Sequence, residues 1–230
     1  MKRFYKHAAT EAHENGIAVV LDGRPVRTPG RHPLRLPTAA LADAVAAEWE
    51  KQGETIEPAT MPLTQLASTA LDRIAPQPSA VSAQIARYAE TDLVCYRADT
   101  PASLVERQRQ VWVPLLKWLE DRYGAKLLST AEIQPIPQPA AAIAAVQAAV
   151  AGHDHFRLAV LSAATAATGS AVIGLALADR QISGADAADA AFVDENYQME
   201  QWGADDQEEA RLARLRAELT AAERFLSLLA

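Results

Sequence analysis

The chain has 230 residues, half of them hydrophobic, and can therefore bury the core of one large domain or two modest ones. Its formal net charge of −7 argues against general nucleic-acid binding, which needs a basic surface. The single cysteine, Cys95, excludes an internal disulfide and fits a reducing compartment.

The first 37 residues predict a small β unit. Residues 4–7 form a short mixed stretch, residues 16–21 are apolar and β-branched, and the following Asp22-Gly23 is a strong hairpin signal. The chain returns along residues 24–28, where Pro25 indicates an edge strand, and residues 34–36 add a short alternating segment. Such a unit is too thin to be stable without another element packed on it.

The pattern becomes helical after this unit. Thr38 is a good N-cap for a helix over about residues 39–52, and Pro62 suits the first turn of a second helix. Helical signals then continue to the end of the chain. The sequence therefore predicts an α+β fold, with a small mainly-β domain over residues 1–60, which includes the first helix, and a larger multi-helical, orthogonal bundle-like domain over residues 61–230.

The helical region divides into several segments. Ser79 is predicted to cap a short helix, and a longer one runs from about Pro101 to Tyr123, with Gly124 as its C-cap. Pro114 lies inside the longer helix and is expected to kink or split it. Alanine-rich helices are predicted next, then one helix from Ser183 through residue 202, and a last one with a leucine seam; their ranges are 140–151, 154–167, 170–179, 183–202 and 205–229.

Most catalytic signatures are missing. The sequence has no phosphate-binding P-loop, no nucleophile elbow and no G-x-G-x-x-G. One cysteine cannot form a thiolate zinc site, and successive side chains of His153-Asp154-His155 would point about 100° apart on a helix. We therefore expect no metal and no cofactor, and interpret Asp154 as a helix N-cap. No run of about 18 apolar residues is present, so no membrane span is expected.

The stretch from residue 181 to 210 is strongly acidic. It contains no Lys or Arg, which is typical of a solvated face but also fits a face that meets a basic partner. Its carboxylates are Asp186, Asp189, Asp194, Glu195, Glu200, Asp205, Asp206, Glu208 and Glu209.

Apolar residues accompany these carboxylates. A helical wheel places within one sector of about 80° the residues Ala188, Phe192, Glu195, Met199 and Trp202. An unpaired buried carboxylate is costly, so Glu195 needs a cationic partner or a raised pKa. Two interpretations stay open. Glu195 pairs with an arginine of the last helix or of the 101–123 helix, or it marks an exposed apolar surface that binds another protein.

Ordered blocks over nearly the whole chain carry a family resemblance. They are "RFYKHA" and "LDGRPVRTP" near the start, "AVAAEWEKQGETIEPATMPLTQLASTALDR" (44–73), "RYAETDLVCYRAD" (87–99), "QRQVWVPLLKWLEDRYG" (108–124) and "ENYQMEQWGADDQEE" (195–209). Together these blocks resemble the F-type ATP synthase assembly chaperones that hold the α subunit of the catalytic F1 head.

The resemblance implies a two-domain α+β protein without catalysis of its own. It implies transient binding to the free F1 α subunit, whose apolar, strand-rich interface aggregates until the β subunit covers it. We expect a monomer with no nucleic-acid or membrane partner. The family occurs in mitochondria and related bacteria, and this alanine-rich chain without a transit-peptide extension is expected in a bacterial cytoplasm. The candidate client-binding residues are Phe192, Glu195, Met199, Glu200, Trp202, Asp205 and Asp206.

Other interpretations stay open at this point. Trp49 lies in the most family-like block and is either a domain-packing aromatic or a client contact. The chain could instead be an enzyme acting on a small anionic metabolite in an interdomain cleft, or a constitutive structural subunit of a larger complex. The enzyme would use Glu90 or Asp92 together with the arginines Arg73, Arg87, Arg97, Arg107 and Arg109.

Overall fold

The computed structural model describes residues 1–132 and 134–230, and this part of the chain forms a small antiparallel sheet followed by ten α-helices. The predicted α+β fold is confirmed. The strands are β1 (Ala8–His13), β2 (Gly16–Leu21), β3 (Arg24–Pro25) and β4 (Arg35–Leu36). The helices are α1 (Ala39–Glu50), α2 (Pro62–Thr69), α3 (Pro78–Ala86), α4 (Ala102–Tyr123), α5 (Ala140–Ala151), α6 (His155–Thr168), α7 (Ala171–Ala178), α8 (Gly184–Ala191), α9 (Val193–Trp202) and α10 (Asp206–Leu228).

Strand β2 is the centre of the sheet. It pairs with β1 along one edge and with β3 and β4 along the other, always antiparallel. The predicted turn follows β2, with left-handed backbone at Asp22 and Gly23. Residues 4–7, the short mixed stretch included in the predicted β unit, lie before the first strand. It begins at Ala8, because its pairing with β2 and its packing on α1 outweigh the low β-propensity of its alanines.

Helix α1 packs on this sheet. The Thr38 hydroxyl accepts a hydrogen bond from the Leu41 amide at 3.2 Å, so the predicted N-cap is confirmed. Trp49 is partly buried and packs edge-on against the Tyr5 ring, with centroids 5.9 Å apart, so it has a packing role. The buried carboxylate of Glu48 accepts hydrogen bonds from the Leu63 and Thr64 amides, and thereby joins α1 to the start of α2.

Several helix boundaries differ from the sequence prediction. Helix α3 begins at Pro78, so Ser79 lies inside it rather than at the cap. Helix α4 is continuous through Pro114, and the predicted split is absent. The buried residues Trp112 and Leu115 hold the helix against the core on both sides of the proline. Gly124 ends α4 in the left-handed region, as predicted.

The centre of the helical part is α7, whose residues are all buried. Close packing depends on Gly174, because a Cβ there would lie 2.5 Å from the Thr165 hydroxyl of α6. Gly169 is instead the left-handed C-cap of α6, and Asp154 is its N-cap, as predicted. One hydrophobic cluster includes residues of both the sheet and the helices. The proposed domain boundary near residue 60 stays a prediction.

The helix predicted for residues 183–202 is in fact two helices. The backbone of Phe192 leaves helical geometry, with φ −112° and ψ 28°, so α8 ends before it and α9 begins after it. Phe192, at the break, and Val193, the first residue of α9, are both buried. The continuous wheel over residues 188–202 is therefore wrong. Along residues 1–132 and 134–230, no helix has the length and apolar character needed to span a bilayer.

Candidate client-binding surface

The turn between α9 and α10 presents an exposed aromatic side chain. Trp202, the last residue of α9, is 79% exposed, the largest exposed fraction of any large hydrophobic residue in the described ranges. Gly203 ends α9 with φ +89°, a backbone conformation that side-chain-bearing residues rarely adopt, and its amide donates to the Met199 carbonyl at 2.9 Å. The helix end thus fixes the position of Trp202.

Carboxylates flank this tryptophan on its C-terminal side. Asp205 is the N-cap of α10, where its side chain accepts a hydrogen bond from the Gln207 amide at 3.0 Å. Asp206 follows in the first turn, and residues 201–207 are all exposed. Negative charge at a helix N-terminus is favourable, so these carboxylates also stabilise α10. The turn therefore combines one apolar anchor with a local negative charge.

Glu200 is paired with an arginine from a distant part of the sequence. Both of its carboxylate oxygens accept hydrogen bonds from Arg107 of α4, at 2.8 and 2.6 Å. This contact lowers the pKa of Glu200 and raises that of Arg107. The guanidinium also lies 5.2 Å from the centre of the Tyr197 ring. Arg107 thus holds the last turn of α9 against α4.

Glu195 has a cationic partner on the last helix. Its Oε1 lies 3.4 Å from Nη2 of Arg211, and this contact confirms the predicted ion pair between helices. Arg211 makes a closer pair with Glu208 of its own helix, at 2.5 Å. The Glu208 contact is the main cause of the raised pKa of Arg211. The Glu195 side chain is 33% exposed, so it stays accessible from solvent.

The remaining candidates lie in different environments. Phe192 is only 3% exposed and is part of the hydrophobic core, so its side chain cannot contact a partner in this conformation. Met199 is partly buried and packs against the same core. The structure therefore brings Glu200, Trp202, Asp205 and Asp206 to one exposed end of α9, and it separates Phe192 from them.

Sequence reasoning missed the contacts that orient α9. The side-chain amide of Gln108 donates to the Asp194 carboxylate at 2.6 Å, and the hydroxyls of Ser103 and Tyr197 are 2.8 Å apart. With Arg107, these residues form a polar face of α4 that meets α9. The only signal in the sequence was opposite charge on the segments of α4 and α9, about 90 residues apart. Each charged residue of these segments has many other possible partners in the chain, so the sequence does not specify the pairing.

Three of the seven side chains named for an anion-binding enzyme are buried or paired, whereas Arg87 and Glu90 line a pocket of about 310 Å³. Asp92 is fully buried, and its carboxylate accepts hydrogen bonds from the Ser170 hydroxyl and the Val172 amide at the start of α7. Arg107 is paired with Glu200, and Arg109 is paired with Glu106. In the described part of the chain, no three His, Cys, Asp or Glu side chains are arranged to hold a metal ion.

Comparison with known proteins decides the family. A family model described as ATP12 chaperone protein matches residues 2–120. The chain belongs to the ATP12 chaperone family. This is the family of F1-ATPase assembly chaperones that the ordered sequence blocks resemble.

Solved structures and a eukaryotic relative agree with this assignment. The crystal structure of Atp12 from Paracoccus denitrificans is 41% identical, with a TM-score of 0.93 over all of this chain and 98% of that chain. The Atu1473 protein of Agrobacterium tumefaciens is 38% identical, with a TM-score of 0.93 over all of this chain and 86% of that chain. The mitochondrial protein atp12 of Schizosaccharomyces pombe is 29% identical over 135 residues, 55% of this chain. That alignment spans 46%, or about half, of the Schizosaccharomyces pombe protein.

Proposed function

We propose that this protein is a non-catalytic, monomeric assembly chaperone that binds the unassembled α subunit of F1-ATPase. The observation that supports the proposal best is Trp202, a large exposed aromatic residue held at a fixed helix end in a member of the ATP12 chaperone family. Tryptophan is enriched among the residues that dominate protein–protein binding energy.

The rigidity of the turn favours binding. Gly203 and the Arg107–Glu200 pair hold the backbone at the end of α9, so little backbone entropy is lost when a partner covers Trp202. A rigid anchor of this kind supplies affinity without a large interface. Transient binding requires such a modest interface, because the client must later be released.

Charge would select the client surface. The carboxylates of Asp205 and Asp206 are exposed beside Trp202, and Glu195, which is paired with Arg211, is partly exposed about two helical turns away. Complementary charge increases the association rate and excludes wrongly oriented partners more than it adds affinity. We infer that the client presents an apolar pocket with basic residues at its edge. The β subunit then displaces the chaperone because it buries a larger area of the same surface.

A light-scattering experiment tests this function. Purified F1 α subunit is diluted from denaturant alone, with this protein, or with the variant Trp202→Ala. We expect the wild-type protein to suppress aggregation and the variant to suppress it less. The matched control is Leu128→Ala, which removes an exposed apolar side chain elsewhere on the surface.

All three proteins should have melting temperatures within about 2 °C of each other, since the substituted residues are exposed. Equal suppression by wild type, Trp202→Ala and Leu128→Ala would remove Trp202 from the client surface. No suppression by any of them would contradict the chaperone proposal itself.

A further inference from the structure

Strand β1 is an edge strand, and the ladder geometry shows which of its backbone groups face outward. It pairs with β2 and with no other strand in the described part of the chain. The Asp22 amide donates to the His7 carbonyl at 3.0 Å, so these opposed residues form a hydrogen-bonded pair. In an antiparallel ladder such pairs alternate with non-hydrogen-bonded pairs. The N–H and C=O groups of Ala8, Thr10 and Ala12 therefore point away from β2.

The opposite side of β2 supports this alternation. The backbone N–H and C=O of Val19, the residue opposite Thr10, point away from β1 and are hydrogen-bonded on the other side of β2. Its carbonyl accepts from the Val26 amide at 2.8 Å, and its amide donates to the Leu34 carbonyl at 3.4 Å. Val19 is therefore not hydrogen-bonded to Thr10, and Thr10 faces outward.

At the outward edge of β1, the first backbone amide is hydrogen-bonded within the described residues and the later ones are not. The Ala8 amide donates to a carboxylate oxygen of Glu50 on α1, at 2.6 Å, in place of a neighbouring strand. Within residues 1–132 and 134–230, no hydrogen bond takes up the outward amide of Thr10 or of Ala12. Proteins usually block an exposed edge, because it can pair with another chain. Here the block covers only the first position.

A groove of about 530 Å³ lies between this edge and α1. The small side chains of Ala9, Ala46 and Ala47 line it, and Asp43, Glu50 and Lys51 lie along the helix side. The Asp43 carboxylate accepts a hydrogen bond from the Thr10 hydroxyl at 2.9 Å. A groove between an edge strand and a helix is the arrangement in which several peptide-binding domains add a strand to their sheet. The alanines leave room for the side chains of an incoming segment.

We propose that β1 binds an extended segment of the unassembled client, which adds to the sheet as a further strand along the open edge of β1, beside α1. This inference rests on the proposed function and adds a second client contact to it. The outward amides of Thr10 and Ala12 would donate to backbone carbonyls of the client segment. The segment would carry small side chains toward Ala46 and Ala47 and a basic residue toward Asp43.

Charge favours the client over a second copy of this chain. Residues 8–14 contain Glu11 and Glu14 and no Lys or Arg. Pairing two copies of β1 would place two acidic strands side by side, and like charges across a strand pair are destabilising. Glu50 lies 3.7 Å from Arg3, and Lys51 lines the groove, so Glu11, Glu14 and Asp43 supply the excess negative charge that complements a basic strand.

Two variants with one matched control test the proposal in the full-length protein. Ala47→Arg places a long charged side chain in the groove. Ala40→Arg makes the same change at an exposed position of α1 outside the groove. Ala12→Pro removes an outward N–H and leaves the ladder to β2 intact, a position where edge strands tolerate proline. The probe is isolated F1 α subunit, and the measurement is its affinity.

We expect Ala47→Arg and Ala12→Pro to bind α subunit about tenfold more weakly than wild type, and Ala40→Arg to bind like wild type. Hydrogen exchange at the Thr10 and Ala12 amides supplies a direct readout. Both amides should exchange more slowly when the α subunit is bound. Sedimentation of the protein alone should show a monomer. In that monomer, hydrogen exchange at the Thr10 and Ala12 amides should be fast.

The possible outcomes separate the two proposals. Wild-type binding of α subunit, with unchanged affinity in both variants and unprotected amides, would overturn the β1 inference and leave the chaperone function standing. Protection of these amides with concentration-dependent dimerisation and no client would show a second copy as the occupant, and it would also overturn the inference. If wild type does not bind the α subunit, both proposals fail.

Discussion

Glu200 and Arg107 form a bidentate ion pair that joins the last turn of α9 to α4, with N–O distances of 2.8 and 2.6 Å. The two residues are 93 positions apart in the sequence. Trp202 lies two residues beyond Glu200, so this pair fixes the base of the exposed turn. The pair therefore has a direct consequence for client binding under the proposed function.

Reversing one charge of this pair should weaken client binding with little effect on stability. Both side chains are about half exposed, so solvent screens the pair and the melting temperature should change little in Arg107→Glu. The end of α9 would lose its contact with α4, and Trp202 would be less well positioned. Affinity for isolated α subunit, measured beside a thermal melt, checks this prediction.

The double variant Arg107→Glu with Glu200→Arg is the control for the ion pair. It restores the attraction with the charges exchanged, and we expect most of the affinity to return. If the double variant folds but binds as weakly as Arg107→Glu, then the charge of Glu200 itself contacts the client, and the positioning role is wrong.

A glycine sets the distance between α8 and α10. A Cβ added at Gly184 would lie 2.5 Å from the Leu219 carbonyl oxygen and 2.9 Å from the Thr220 Cα, both backbone atoms of α10. We expect Gly184→Ala to lower the free energy of unfolding by about 1–3 kcal/mol, because the two helices must move apart. Chemical denaturation measures this change.

Gly53→Ala is the matched control for the glycine prediction. No atom lies within 4 Å of a Cβ added at Gly53, so the same substitution there should be neutral or stabilise by about 0.4–1 kcal/mol. Equal effects at Gly184 and Gly53 would show that the close approach of α8 to α10 does not limit stability.

The buried carboxyl of Asp92 should make stability depend on pH. Burial raises its pKa from 3.8 to about 6, and hydrogen bonds from Ser170 and Val172 oppose this effect only in part. Because the native pKa lies above the unfolded one, the native state binds the proton more tightly. The stabilisation from this proton is complete below about pH 4 and is lost as pH rises through 6.

The substitution Asp92→Asn tests this dependence, because asparagine remains neutral. Relative to the variant, wild type should lose about 3 kcal/mol of unfolding free energy between pH 4 and pH 7. Denaturant unfolding at several pH values measures the difference. A difference between Asp92→Asn and wild type that stays constant with pH would contradict the raised pKa.

Much of the helical architecture follows from local signals. Thr38, Gly124 and Asp154 were identified as caps from residue type and position alone, and each has that role. Capping depends on hydrogen bonds within a few residues, so the sequence specifies it locally. The α+β order follows in the same way, from a hairpin signal followed by helical periodicity.

The features that were missed depend on contacts between distant parts of the chain. Strand β1 has little β-propensity and forms because β2 and α1 lie beside it. The break at Phe192 is marked by no glycine or proline in the sequence around it. Arg107 was known as a cation, but its pairing with Glu200 required the docking of α4 on α9. Tertiary packing decides all three, and no local pattern reports it.

The central claim is that this protein recognises the free α subunit of F1, and a capture experiment tests it most directly. Immobilised wild-type protein is incubated separately with purified α subunit and purified β subunit, and a preassembled α–β mixture serves as the third sample. We expect strong capture of α, little capture of β, and loss of α capture once β is already bound to it. Capture of β instead of α, or equal capture of free and assembled α, would contradict the account.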